Sequence, residues 1–287
     1  MFAVTGATGK LGRLVVEQLA KRVPAQQIVA VIRGLGGALD LARLGVHVRE
    51  VDYGDPKSLA AAFKDVDKLL LISESEPGKR VLQHHAVVEA AARSQVSLLA
   101  YTSILRAGCS HLLLANEHRE TEQIISKSKL PRAFLRNGFY IENYTERLEH
   151  AIVSGKILGS AKQGRIAGAP RIDYAEAAAV VLTSTQRHEV YELAGDDAFT
   201  LSELAAQISR VTGKSVRYQD LPPSAYREAL IGADVPALDA EFLVDMNIQI
   251  SRGALDDDTR TRSKLIGRPT TPLAAALQAW RDKLQRA

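Results

Sequence analysis

Three glycines near the start of the chain constrain its fold more than any other feature. Residues 6–12 read Gly-Ala-Thr-Gly-Lys-Leu-Gly and directly follow a short apolar run, Met1 to Thr5. After the loop, apolar residues continue at helical spacing, at Leu11, Leu14, Val15 and Leu19. A strand, a glycine loop and a helix in this order form the phosphate-binding turn of Rossmann folds, because glycine permits a tight turn and a close approach of the backbone to a pyrophosphate. The sequence therefore predicts a dinucleotide site here, with G-x-x-G-x-x-G spacing instead of the G-x-G-x-x-G of standard dehydrogenases.

Further apolar runs of strand length recur through the first half of the chain. The predicted strands are Met1 to Thr5, Ile28 to Ile32, Val46 to Val51, Lys68 to Ile72, Leu98 to Tyr101 and Arg132 to Leu135, and helical stretches are predicted at Ser58 to Phe63, Val81 to Ala92 and Glu117 to Ile125. Most of these strands are continuously apolar, which is typical of a parallel sheet that is buried on both faces. The pattern predicts an α/β fold with a Rossmann-type doubly wound parallel sheet.

The second half of the chain is less regular and predicts a smaller C-terminal α+β substrate lobe. A helix is expected at Ala175 to Thr183 and a strand at Val190 to Leu193, while Thr200 to Glu203 matches a capping box. We therefore assign residues 1–144 to the Rossmann domain, with 172–195 returning to it. Residues 145–171 and 196–287 form the predicted substrate lobe.

The composition narrows the class of protein further. The 287 residues are 46% hydrophobic and 24% charged, which excludes a disordered chain, and a net charge of +4 without a basic run argues against nucleic-acid binding. One cysteine, Cys109, permits neither an intrachain disulfide nor a cysteine-based zinc site. The histidines lack metal-ligand spacing, so no metal is expected. With no signal peptide or membrane-length apolar run evident, we expect a cytoplasmic protein without a membrane partner.

The end of the second predicted strand favours NADPH over NADH. Arg33 follows that strand, twenty-one positions after Gly12, where NAD sites usually carry an acidic residue. A guanidinium binds a 2′-phosphate bidentately, and Lys10 adds a second cation in the glycine loop. A surface arginine at a strand end is the alternative for Arg33. Asp52, after the third strand, fits either an adenine contact or a simple turn.

Several segments together resemble a known family. They are Thr5 to Gly12, Leu69 to Ser73, Ala100 to Ser103, Leu135 to Tyr144, Tyr191 to Gly195 and Ser263 to Thr271. These segments are similar to the NmrA-like atypical short-chain dehydrogenase/reductases and, within that group, most resemble the bacterial type-2 NADPH:quinone oxidoreductases. The glycine loop is shared by a broad superfamily, whereas Asn137 to Tyr144 is more specific. One departure is Phe139, where a tryptophan is expected in such relatives.

The resemblance implies a set of site residues. The NADPH contacts are expected at Gly6, Ala7, Thr8, Gly9, Lys10, Leu11, Arg33, Ser73, Glu74, Ser75, Asn137, Gly138, Phe139, Tyr140, Ile141 and Glu142. Of these, Asn137 and Tyr140 are the expected catalytic residues, beside the nicotinamide. The aromatic side chains after the sixth strand fit either a substrate pocket or plain core.

Tyr101 and Tyr140, beside predicted strand ends, lack the lysine that completes the Tyr-x-x-x-Lys acid of standard short-chain dehydrogenases. Tyr101 is followed four residues later by Leu105, and Tyr140 by Tyr144. A quinone needs no such acid, because hydride addition yields a phenolate-like anion whose conjugate acid has a pKa of about 10. The sequence thus favours an NADPH-dependent quinone reductase that acts by direct hydride transfer from nicotinamide C4. The alternative is a non-catalytic NADP(H)-binding redox sensor of the NmrA-like type. A small-molecule quinone is the expected partner, and a homodimer stays open beside a monomer.

Overall fold

The computed structural model describes residues 1–73, 78–146, 148–186 and 188–284. The chain divides into two compact units. The first unit comprises Met1–Ala107, Asn116–Asn137 and Arg171–Leu193, and the second comprises Gly108–Ala115, Gly138–Pro170 and Ala194–Ala287.

Strands alternate with helices along most of the described chain. The strands are β1 Phe2–Val4, β2 Ile28–Ile32, β3 His47–Glu50, β4 Lys68–Leu71, β5 Leu98–Ile104, β6 Arg132–Asn137, β7 Lys156–Gly159, β8 Val190–Leu193 and β9 Arg217–Asp220. The helices are α1 Lys10–Ala20, α2 Ala38–Ala42, α3 Pro56–Ala62, α4 Arg80–Arg93, α5 Ala115–Lys127, α6 Glu142–Thr145, α7 Leu148–Ser154, α8 Arg171–Thr183, α9 Leu201–Thr212, α10 Pro223–Gly232, α11 Ala237–Ser251, α12 Thr261–Ile266 and α13 Leu273–Leu284, with a short 3₁₀ turn at Ala25–Gln27.

The first unit is built on one parallel sheet. Among the described residues seven strands pair in the order β3-β2-β1-β4-β5-β6-β8, and every pairing is parallel. The carboxyl ends of all these strands therefore lie at one edge, which is where open α/β sheets bind ligands. The α/β fold with a doubly wound parallel sheet is confirmed, and so is each of the seven strands expected in this unit.

The sheet is covered on both faces. Val29, Leu69 and Leu71 pack into a buried cluster with side chains of α3, α4 and α5. Their neighbours in the strands, such as Ala30 and Leu70, are fully buried as well, although alternate residues of a strand point to opposite faces. This burial explains why the strands read as continuous apolar runs instead of alternating ones.

The second unit contains a small sheet and several helices. Strands β7 and β9 pair in parallel, and Ile166 forms an antiparallel bridge with Phe199. The capping box before α9 is confirmed, because the Thr200 side chain accepts the Glu203 amide proton and the Glu203 carboxylate accepts that of Thr200. Within the described ranges, no helix has the length and hydropathy needed to cross a membrane.

One charged stretch is less solvated than its composition indicates. The sequence of α5 is typical of a helix whose charged face points to water, but His118, Thr121 and Glu122 are buried. Composition does not reveal this burial, because each of the three residues has a hydrogen-bond partner in the interior.

Candidate functional site

The glycine loop lies between β1 and α1 and is tightly built. Gly6 has a φ of +58°, a conformation that strongly favours glycine. A Cβ atom at Gly12 would collide with the carbonyl oxygen of Gly6 and would lie 2.8 Å from the Ala7 Cα. The Ala7 amide donates to the Val31 carbonyl oxygen at 3.2 Å, which fixes the loop to β2. Gly12 therefore lets the first turn of α1 pack directly onto the loop backbone, where no side chain fits.

The helix that follows the loop can bind an anion at its N-terminus. Its first i to i−4 bond runs from the Arg13 amide to the Gly9 carbonyl oxygen at 3.0 Å. The amide groups before Arg13 therefore make no i to i−4 hydrogen bond of the helix. No acidic side chain occupies that turn. Thr8, Gly9 and Lys10 are exposed, whereas Ala7 and Leu11 are buried and anchor the loop. An exposed turn with a positive dipole end and a lysine suits a pyrophosphate.

Hydroxyl groups fix the neighbouring strand ends. The Ile72 amide donates to the Thr5 Oγ1 at 3.0 Å, and the Ser73 amide donates to the Thr102 Oγ1 at 2.8 Å. Ser73 is partly buried directly after β4, at the same sheet edge as the glycine loop. The other two residues expected beside it, Glu74 and Ser75, lie outside the described residues. Sequence reasoning missed Thr102, whose role depends on a contact 29 positions away in the chain.

Arg33 borders a cavity of about 650 Å³ within the first unit. Its guanidinium carbon lies 5.8 Å from the centre of the Tyr53 ring, which is a cation–π distance. The cavity lies beyond the ends of β2 and β3 and beside the start of α4. It is lined by Arg33, Glu50, Val51, Asp52, Tyr53, Gly54, Ser58, Lys79 and Gln83.

Asp52 stabilises a turn in this cavity wall. Its Oδ1 accepts the Gly54 amide proton at 2.8 Å, and its own amide donates to the Ser58 Oγ at 2.9 Å. Both groups therefore help to build the turn that leads into α3. The turn interpretation of Asp52 is supported, although the residue also lines the cavity.

The segment from Asn137 to Glu142 begins in the first unit and continues into the second. Asn137 is the last residue of β6 and is only 6% exposed, and its carbonyl oxygen accepts the Leu105 amide proton at 2.8 Å. Gly138 begins the next stretch of the second unit. There Tyr140 forms a parallel bridge with Ala169, and the Ile141 amide donates to the Ala169 carbonyl oxygen at 3.1 Å. Backbone pairing thus fixes the segment before α6 begins at Glu142.

Aromatic rings gather beside this segment in the second unit. The Phe139 and Tyr144 rings lie 5.2 Å apart, and Tyr144 packs edge-on against Phe199 at 6.4 Å. Phe199 is buried, whereas Phe139, Tyr140 and Tyr144 are each partly exposed. Flat rings that retain exposed surface can stack on an apolar planar molecule.

Tyr101 does not reach the surface. It lies in the middle of β5, is fully buried, and its hydroxyl lies 2.8 Å from the His118 Nδ1. Burial raises the pKa of Tyr101 above its usual value of about 10. A weaker, enclosed acid cannot serve as the proton donor for a bound substrate.

One Tyr-x-x-x-Lys spacing does occur in the chain, from Tyr53 to Lys57. It is not a helical pair, because Tyr53 precedes Asp55, the N-cap of α3, and Lys57 lies within the helix. Tyr53 is also buried against Arg33. This spacing therefore does not supply the acid of standard short-chain dehydrogenases.

A partly buried ion-pair network supports the end of β6, and sequence reasoning missed it. Arg136 binds the Glu122 carboxylate through two nitrogens, at 2.9 and 2.7 Å, and donates to Glu192 at 2.9 Å. The Ser103 hydroxyl donates to the same Glu122 at 2.6 Å. The network joins β5, β6, β8 and α5 directly beside Asn137, and such charge-assisted bidentate pairs are strong and geometrically specific.

Known proteins resemble this chain in sequence and in fold. Residues 1–257 match the model of the NmrA-like family. The chain is 48% identical to quinone oxidoreductase 2 of Escherichia coli K12, over 96% of this chain and 97% of that protein. It is also similar to a crystal structure of the NADPH-dependent quinone oxidoreductase of Escherichia coli in complex with NADPH, with a TM-score of 0.94 and 47% identity over 97% of this chain and 99% of the other. A Citrobacter triphenylmethane reductase in complex with NADP(H) is similar with a TM-score of 0.92 and 38% identity, over 98% of this chain and 100% of the other.

Proposed function

The chain belongs to the NmrA-like family, and on this premise we propose that it is an NADPH-dependent quinone reductase. The observation that carries the proposal is its likeness, over nearly the whole of both chains, to a quinone oxidoreductase that binds NADPH. At one sheet edge, the first unit has an exposed glycine loop before a helix N-terminus and a cavity bordered by Arg33, and both suit that cofactor.

The residues present fit NADPH. A Cβ at Gly12 would collide with the loop backbone, so the loop packs tightly on α1, while its exposed residues Thr8 to Lys10 stay open to a pyrophosphate. Gly6 to Leu11 would hold the pyrophosphate, and Arg33 the 2′-phosphate at the cavity wall. Ser73 would contact the nicotinamide ribose, and the same contact stays predicted for Glu74 and Ser75, which lie outside the described residues. Asn137 and the segment Gly138 to Glu142 would bind at the nicotinamide.

Bound NADPH would supply a hydride from nicotinamide C4. The chain's own contribution is positioning, because Tyr53 and Tyr101 are buried and Tyr140 has no lysine four residues later. Asn137, held at the end of β6, would orient the reacting ring, while Phe139, Tyr140 and Tyr144 would stack on the quinone. The quinone accepts two electrons and one proton as hydride and becomes a hydroquinone anion. That anion takes its second proton from water, since its conjugate acid has a pKa of about 10.

Oxidation of NADPH in the presence of simple benzoquinones and naphthoquinones tests this function. We expect NADPH loss to match hydroquinone formation one to one, and NADH to be a poorer donor. Tight NADPH binding without consumption by any quinone would contradict the enzyme and favour the redox sensor. Omitting the quinone is the control for slow oxidation by air.

Three further expectations accompany the proposal. We assign the cofactor to residues 1–144 with 172–195, and the quinone to the aromatic rings at the end of that range together with the lobe formed by residues 145–171 and 196–287. A homodimer and a cytoplasmic location also belong to this proposal. Light scattering after size exclusion tests the dimer, and cell fractionation tests the location.

A further inference from the structure

A glutamine in the wall of the 650 Å³ cavity has an unsatisfied acceptor. Gln83 lies in the first turns of α4, and its side-chain Oε1 is buried without a hydrogen-bond partner in the described part of the chain. A buried carbonyl oxygen left without a donor destabilises a protein, because it loses its hydrogen bond to water and gains none in return. An amide kept at such a position is explained if a ligand supplies the missing donor.

The place of Gln83 in the fold indicates which part of a ligand it would meet. The glycine loop follows β1, Arg33 follows β2, and the turn at 51–54 follows β3 at the same sheet edge. A dinucleotide with its pyrophosphate at α1 and its 2′-phosphate at Arg33 therefore extends its base toward β3. The cavity lies there, and its volume is within the 300–1,000 Å³ typical of ligand pockets.

Two other polar side chains in the wall, those of Ser58 and Asp52, already have partners. The Ser58 hydroxyl accepts from the Asp52 amide, and the Asp52 Oδ1 accepts from Gly54. An amide side chain carries a donor and an acceptor side by side, which matches the N6 amine and N7 of adenine. A half-turn about its last torsion exchanges the two with little change in shape, so the pair can align with a base edge.

We infer that Gln83 recognises the adenine base of NADPH, with its Oε1 accepting a hydrogen bond from the exocyclic amine. The inference rests on the proposed NADPH site. It makes Gln83 a specificity-determining residue on the cofactor side, distinct from Arg33, which the proposed function assigns to the 2′-phosphate.

The test compares NADPH with reduced nicotinamide hypoxanthine dinucleotide phosphate, in which a carbonyl oxygen replaces the adenine amine. Dissociation constants are measured by nucleotide fluorescence in the absence of quinone. We expect the unmodified protein to bind NADPH about tenfold more tightly, the factor that corresponds to one hydrogen bond of about 1.4 kcal/mol. Gln83→Leu should weaken NADPH binding by about tenfold and remove the discrimination. Gln27→Leu makes the same change at an exposed site of the first unit and should alter neither.

The outcomes separate this inference from the proposed function. Equal affinity of the unmodified protein for the two nucleotides overturns the adenine contact without any variant, so a misfolded Gln83→Leu does not obscure the result. Discrimination that persists in folded Gln83→Leu also overturns it, even if quinones are reduced at the normal rate. Conversely, discrimination that depends on Gln83 supports it even if no quinone is reduced.

Discussion

Two buried histidines should make the fold sensitive to acid well above the range in which carboxylates titrate. His84 is fully buried and His118 is 4% exposed; their Nδ1 atoms lie 3.0 Å from the Thr121 hydroxyl and 2.8 Å from the Tyr101 hydroxyl. Burial, reinforced by the nearby Arg80, lowers the pKa of each histidine to about 3. Both are therefore neutral in the folded protein at pH 5.

The sign of the effect follows from the unfolded chain, in which a histidine has a pKa of about 6.5. Below that pH the unfolded state binds protons that the folded state does not, so stability falls as the pH drops from about 6.5 toward 3. Each histidine costs about 1.4 kcal/mol per pH unit in this window, or about 2 kcal/mol at a pH of about 5. The two together should lower the free energy of unfolding by about 4 kcal/mol, a large part of typical domain stability.

Urea unfolding between pH 7 and pH 5 measures this loss. His84→Gln and His118→Gln keep hydrogen-bonding groups but cannot titrate, so each should reduce the pH dependence by about half. His85→Gln is the matched control, because that neighbouring histidine is 53% exposed in its side chain. If the double variant loses stability with falling pH as steeply as the unmodified protein, the buried histidines are not the cause and the reasoning is refuted.

Three further predictions concern the cofactor and the reaction. Arg33→Asp should raise the NADPH KM at least tenfold and reduce the preference over NADH, since each charge-assisted contact is worth about 1.5–3 kcal/mol; an unchanged preference in steady-state kinetics would exclude Arg33 as the phosphate contact. Gly12→Ala should abolish NADPH binding in a fluorescence titration, because the added Cβ collides with the loop backbone; normal affinity would place the phosphates elsewhere. Tyr101→Phe and Tyr140→Phe should keep kcat with a benzoquinone within about tenfold. Asn137→Ala should lower kcat about a hundredfold, because the nicotinamide ring would be misplaced. A thousandfold loss in either phenylalanine variant would identify a tyrosine as the proton donor.

The sequence was most informative where burial alone decides the structure. The continuously apolar strands β2 and β4 were predicted nearly to the residue, because a parallel sheet buried on both faces tolerates few polar side chains. β5 and β6 extend beyond their predicted ends at Tyr101 and Leu135, to Ile104 and Asn137. Apolar content indicates a strand end there, yet the pairing continues because Glu122 binds polar side chains of both strands.

Contacts between distant residues account for what the sequence did not predict in the candidate site. The glycine loop and Arg33 could be identified from the sequence alone, because each directly follows a predicted strand in the chain. The bridge between Tyr140 and Ala169 joins segments with no shared pattern, and the cavity wall combines the β3 turn with Gln83 of α4. Such groupings depend on tertiary packing, for which periodicity carries no signal.

The sheet edge at β3 has a consequence for how the protein behaves at high concentration. An edge strand exposes backbone groups that can pair with another chain and start aggregation. β3 is only four residues long, and three of them, His47, Arg49 and Glu50, are polar or charged. Arg49 also donates to the carbonyl oxygens of Ala62 and Lys64, which ties this edge to the end of α3. A short, charged strand offers a poor template for intermolecular pairing, so this edge protects the apolar sheet behind it from growing into a larger assembly.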